Sequence, residues 1–139
     1  MSAFLDSSVL IAALAPDETG HKDSLALLMR GGNIVYSHAL LETFSTLTGG
    51  KLGLQVDANF AAQLLSQTVL PRVSVIELAA AEIETALVKA KANGVRGGGV
   101  YDYMHLVAAR KSRATVLYTL NLADFQHLQR TGDPEIRRP

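Results

Sequence analysis

The chain has 139 residues, and its 13 Lys and Arg are balanced by 13 Asp and Glu, a formal net charge of zero. Without a global basic field, any binding of nucleic acid has to rest on local cations or bridging metal ions. There is no cysteine, which excludes disulfides, thiolate metal sites and thiol nucleophiles.

In chain order, "AFL" (3–5) reads as a short strand, followed by a helix from Ser7 to about Leu14. The apolar run inside that helix, Val9 to Ala15, is far shorter than the ~20 residues a membrane span needs. No basic, apolar leader precedes it, so the expectation is a soluble cytoplasmic protein without membrane contact. A second helix runs from about Thr19 to Arg30 and stops at Gly31-Gly32. "NIVYS" (33–37) is a second strand. "HALLETFSTLT" is a helix with Leu40, Phe44 and Leu47 on one stripe. Asp57 to about Thr68 is a further helix, with Asp57 placed as its N-cap. "RVSVI" (72–76) is a third strand, and Glu77 to about Ala92 is a long Ala-rich helix. After the glycine-rich loop "NGVRGGGV" (93–100), "VYDYMHLVAARK" is helical with Val100, Met104 and Val107 on one stripe. "TVLYT" (115–119) is a fourth strand, a short helix spans about Ala123 to Arg130, and 134–137 is a candidate edge strand.

This β-α alternation predicts one domain over 1–139. It is a three-layer α/β/α sandwich around a central, mostly parallel sheet of four or five strands. Ligands of such sheets sit beyond the carboxyl ends of the strands. Asp6 directly follows the first strand, Asn121 and Asp124 follow the fourth, Asp102 opens the helix after the glycine loop, and Glu42 lies off the apolar stripe of its helix. Parallel strands bring these positions to one rim, where carboxylates repel and raise one another's pKa unless a cation joins them. With oxygen donors and no thiolate, Mg²⁺ or Mn²⁺ suits the set. Each acid also has a purely structural role open to it: Asp6 and Asp124 as N-caps, Asp102 as a first-turn carboxylate favoured by the helix dipole, Glu42 as a solvent-facing helix residue.

Four segments together resemble a known family. "LDSSVLIAAL" supplies an Asp after the first strand with a hydroxyl two positions on (Asp6, Ser8). "ALLETF" supplies a Glu in an apolar helix (Glu42). "YDYMHLVAAR" fits D-x-x-x-L-x-A-A (Asp102). "TLNLADF" fits T-x-D/N-x-x-D/E-F (Thr119, Asn121, Asp124). In this order and spacing they resemble the PIN domain, and specifically the VapC-type ribonuclease toxins of type II toxin–antitoxin pairs. One departure is that Asn121 stands where the family pattern allows an Asp; it removes one negative charge and leaves Asn121 and Asp124 as alternative fourth ligands. The resemblance implies a Mg²⁺- or Mn²⁺-dependent endoribonuclease with Asp6, Glu42, Asp102 and Asp124 as the catalytic set. Asp6, Asp102 and Asp124 would hold the ion and Glu42 would ligate or orient the attacking water. Ser8, Thr119 and Asn121 would support them. It further implies an RNA substrate, a homodimer, and a cognate VapB-type antitoxin whose C-terminal segment reaches the acidic rim. The apolar composition, 48% hydrophobic residues, independently suggests a covered interface.

Among the cations, Arg96 in the glycine loop is the candidate for phosphate contact. Arg110, Lys111 and Arg113 end the Asp102 helix and suit its negative dipole end. His105 reads as a packed histidine rather than a ligand. A response-regulator receiver is disfavoured because strand one gives Asp-Ser and no Lys follows strand four; a D-x-D phosphatase is disfavoured because Ser8 follows Asp6. The remaining alternative is a PIN-like scaffold, weakly active or inactive, that binds RNA or protein.

Overall fold

The computed structural model describes residues 2–50, 53 and 55–139. Five strands, β1 (Ala3–Leu5), β2 (Asn33–Tyr36), β3 (Val73–Ile76), β4 (Val116–Tyr118) and β5 (Glu135–Arg137), form one sheet in the order β3-β2-β1-β4-β5. All four pairings are parallel. The weak segment near the C-terminus thus becomes the fifth, edge strand, and the sheet is entirely rather than mostly parallel.

Strand periodicity sends alternate residues to opposite faces. In register, Phe4, Ile34 and Leu117 lie side by side and join one core cluster, while Leu5, Val35 and Tyr118 join the other. On the second face, α1 (Ser7–Leu14) contributes Val9, Leu10 and Ala13, α2 (His21–Arg30) contributes Leu27 and Leu28, and α3 (His38–Thr48) contributes Ala39. On the first face, α5 (Ala80–Val88), α6 (Gly99–Ser112) and α7 (Leu122–Leu128) pack through Ala86, Leu106 and Phe125. Helices cover both faces, giving the three layers expected. Phe4, Leu5, Leu10 and Leu117 are wholly buried, each contributing about 1.5–3 kcal/mol of transfer free energy.

Helix ends follow local chemistry. Asp6 caps α1 by accepting from the Val9 N–H at 3.3 Å. Gly31 ends α2 at φ +75, a conformation L side chains avoid. The helix expected over 57–68 is α only at α4 (Ala58–Gln63), continues as a π-helical stretch, Leu64–Val69, and closes in a 3₁₀ turn, Leu70–Arg72, that holds Pro71. Asp57 occupies the N-cap position without a side-chain bond. The helix expected from Glu77 to Ala92 is shorter at both ends. Its start is fixed at Ala80 because the Glu82 carboxylate accepts the Ala79 N–H at 2.9 Å, as in the second half of a capping box. Beyond Val88 the chain turns, and Gly94 at φ +71 redirects it toward α6. On α3 the buried face is Ala39, Thr43 and Leu47, with Leu40 and Phe44 flanking it half-buried. No helix among the described residues is long and apolar enough to cross a membrane.

Candidate active site

The sheet order fixes where a site can form. From β1 the chain moves outward to β2 and β3 with helices on one face, then returns to β4 and β5 with helices on the other. The order reverses between β1 and β4, and crevices open at such switch points beyond the carboxyl ends. Asp6 follows β1 there, and Thr119, Asn121 and Asp124 follow β4.

Asp6 is 1% exposed. Its Oδ1 accepts from Ser8 Oγ at 2.6 Å and its Oδ2 from Thr119 Oγ1 at 2.7 Å. The same hydroxyl oxygens accept backbone N–H groups of the β4 loop, Leu120 N to Ser8 Oγ at 3.0 Å and Asn121 N to Thr119 Oγ1 at 2.9 Å. Ser8 and Thr119 therefore clamp the buried carboxylate to the loop that holds Asn121 and leads into the helix bearing Asp124. Burial raises the Asp6 pKa, against the opposing effects of His105, Ser8, Thr119 and the Val9 N–H.

Glu42 organises a second group. Its Oε2 accepts from Ser7 Oγ at 2.9 Å, and its Oε1 from His38 Nδ1 at 2.9 Å and His105 Nε2 at 2.7 Å. Burial pushes its pKa up, but His105, His38 and Ser7 together outweigh burial and hold it at about 2. An ionised carboxylate offers only lone pairs, so both imidazoles donate. His105 is wholly buried, edge-on to Phe4 and Tyr36, which agrees with a packed histidine. His38 lies stacked between Tyr36 and Tyr101.

Asp102 stands in the first turn of α6, half-buried. Its pKa is raised to about 6, first by burial and then by the charges of Asp6, Asp124 and Glu42, with His105 opposing. All four predicted acids are thus within electrostatic reach of one another. Asp102 and Asp124 line one cavity of about 410 Å³ with Arg96, His127 and the loop glycines. Asp124 lies in the first turn of α7 with Asn121 at the N-cap position, so it does not cap that helix.

The acids share a rim without forming a closed ligand cage. Among the described residues, no three His, Cys, Asp or Glu side chains converge closely enough to hold one ion. Ser8 and Thr119 engage both Asp6 oxygens, and Ser7, His38 and His105 engage both Glu42 oxygens. Asp102 and Asp124 are left facing the cavity. The sequence reading did not single out Ser7 and His38; the His38–Glu42 spacing of one helical turn was the visible signal.

The fold and this rim define a class: a parallel α/β/α domain with an acidic cavity at its switch point. The PIN domain family model matches residues 3–130, and the chain belongs to the PIN domain family. Comparison with curated proteins gave no match. Among solved structures it is similar to Mycobacterium tuberculosis VapC20, described as a sarcin-ricin loop cleaving toxin, at 23% identity and TM-score 0.73, covering 99% of both chains. It is also similar to VapBC2 of Rickettsia felis, solved on a promoter DNA fragment, at 17% identity and TM-score 0.67, covering 99% of this chain and 98% of that one. FitAcB of Neisseria gonorrhoeae is a further likeness, at 17% identity and TM-score 0.63, covering 96% and 95%. At these identities the likeness establishes the fold.

Proposed function

We propose that this chain is a divalent-cation-dependent endoribonuclease and the toxin of a VapBC-type toxin–antitoxin pair. The observation that carries the reading is Asp102, a carboxylate held at about 6 by burial and by Asp6, Asp124 and Glu42 around it. A perturbed acid in a cleft is a mark of a functional site. The solved VapC and VapBC structures of the same fold support the toxin assignment.

The donor set fits a hard cation. Asp102 and Asp124 present oxygen donors to one cavity, and Mg²⁺ or Mn²⁺ is commonly held by one or two carboxylates with water completing the shell. The chemistry supplied by such an ion when bound is a more acidic water and stabilisation of charge on the phosphate. In this reading Asp102 and Asp124 hold the ion, and the charge of Asp6 acts on Asp102. Glu42, ionised across neutral pH and fixed by Ser7, His38 and His105, orients water at the rim. Arg96 meets the phosphate of the RNA from the glycine loop. Exposed apolar side chains, Leu41 at 66% and Val88 at 79% exposure, support a covered interface, a homodimer or the VapB-type antitoxin.

The test is cleavage of defined RNAs with Mg²⁺ or Mn²⁺, comparing wild type with Asp6→Asn and Asp102→Asn. The expected loss is on the order of 10²-fold or more; cleavage by the variants at the wild-type rate refutes the assignment. Two observations favour a second reading, a PIN-like binding scaffold. Among the described residues the carboxylates do not close into a three-ligand group, and Asn121 removes a further charge. A scaffold would bind RNA or protein yet leave every RNA intact in either metal.

A further inference from the structure

The acidic cavity has a basic neighbour. A second cavity of about 630 Å³ is lined by Asn93 and by Lys89, Arg110, Arg113 and Arg130 against a single acid among its lining residues, Asp133. In a chain of zero net charge, four cations against one carboxylate is a pronounced local excess. The cleft is also built. Asp133 is held by the forked guanidinium of Arg110 and accepts the Arg130 N–H at 2.7 Å. The Arg130 guanidinium donates to the carbonyls of Gln129, His127 and Asn93 at 3.0, 3.1 and 3.5 Å, which fixes its charge at the cavity wall. The side chains of Lys89 and Arg113 have no hydrogen-bond or ion-pair partner among the described residues and are exposed. Lys111, by contrast, turns away to Glu82 and the Glu77 carbonyl.

The two cavities meet through adjacent residues: Gly94 and His127 line the acidic one, Asn93 and Arg130 the basic one. Helix α6 carries Asp102 in its first turn and Arg110 and Arg113 at its other end, about 12–16 Å away at 1.5 Å per residue. Positive charge at Arg96, then Arg130, then Arg110, Arg113 and Lys89 marks a path away from the acidic rim. We propose that this cleft binds the phosphodiester backbone of single-stranded RNA flanking the cleaved bond, so that substrate is held at a distance from the acids that would otherwise repel it. Backbone contacts of this kind position a nucleic acid without reading its bases. The inference rests on RNA being the substrate, as proposed above.

The experiment is fluorescence anisotropy with a labelled single-stranded RNA of about ten nucleotides, within the usual ~4–16 nucleotides of single-strand grooves. It is run in chelator across a salt series, with wild type and the double variant Lys89→Gln/Arg113→Gln. Two lost phosphate contacts lower the slope of log K against log salt by about 1.4, and about tenfold weaker binding is expected at low salt. A methylphosphonate oligonucleotide of the same sequence, lacking backbone charge, distinguishes wild type from variant no longer. Unchanged affinity and slope in the variant, equal loss on the neutral backbone, or no RNA binding by wild type overturns the proposal. Metal-dependent cleavage is scored separately on the same proteins. A wild type that binds through the cleft yet cuts nothing removes the nuclease reading and leaves the cleft, whereas a variant that binds and cuts as wild type does the reverse.

Discussion

Replacing Asp102 by Asn should stabilise the protein while disabling the proposed chemistry. In the folded chain Asp102 titrates at about 6, against 3.8 for an unperturbed Asp. Between those values the native state holds a proton that the unfolded chain has released, so stability falls as pH rises through this window. Above pH 7 the ionised form carries the full cost. The shift corresponds to at most about 3 kcal/mol; because Asp102 is only half-buried, solvent screening cuts this to about 1–2 kcal/mol. The assay is urea unfolding of wild type and Asp102→Asn in chelator at pH 4 and pH 7.5. The variant should gain about 1–2 kcal/mol at pH 7.5, roughly 3–8 °C in Tm, and the gain should nearly vanish at pH 4. A variant no more stable than wild type at pH 7.5, or equally stabilised at both pH values, would refute the claim that neighbouring carboxylates and burial strain this position.

Adding Mg²⁺ should raise the Tm of wild type, by the equivalent of about 2.7 kcal/mol at a hundredfold excess over Kd, and leave Asp102→Asn unmoved; differential scanning fluorimetry reads both. Glu42→Gln should act oppositely to Asp102→Asn. Its ionised form is favoured in the fold, so the variant loses about 1–2 kcal/mol near pH 7 after allowance for its partial exposure, and the deficit should narrow as pH falls from 4.5 toward 2. Thr119→Val removes the hydroxyl that donates to buried Asp6 and accepts from Asn121, at a cost of about 1–3 kcal/mol in denaturant melts. Nuclease assays of the same variant should show a fall in rate, since the loop leading into the Asp124 helix loses one of its two hydroxyl ties to Asp6.

The strands themselves were largely legible because their signals are local. Phe4, Ile34 and Leu117 stand in runs too short for a helix, and Asp6 directly follows the first of them. What was not legible depends on contacts made across the chain. The start of α5 is set by Glu82 reaching back to Ala79, and its apolar periodicity continues past both real ends. The π-helical stretch at Leu64–Val69 carries no residue pattern of its own. Most tellingly, folding ties Glu42 to Ser7, His38 and His105 and Asp6 to Ser8 and Thr119. The pairings with Ser7, His105 and Thr119 join residues 35, 63 and 113 positions apart, distances at which no spacing rule operates.

The bond from Thr119 to Asp6 also sets an order in time. The central strand is made first on the ribosome, but its neighbour β4 and the hydroxyl that seats Asp6 arrive 113 residues later, about 6–23 s at ordinary rates of synthesis. Until then no nascent fragment can assemble the rim, and the pairing of such remote strands is itself slow. The buried carboxylate of Asp6 thus lacks one of its two hydroxyl partners until nearly the whole chain has been made.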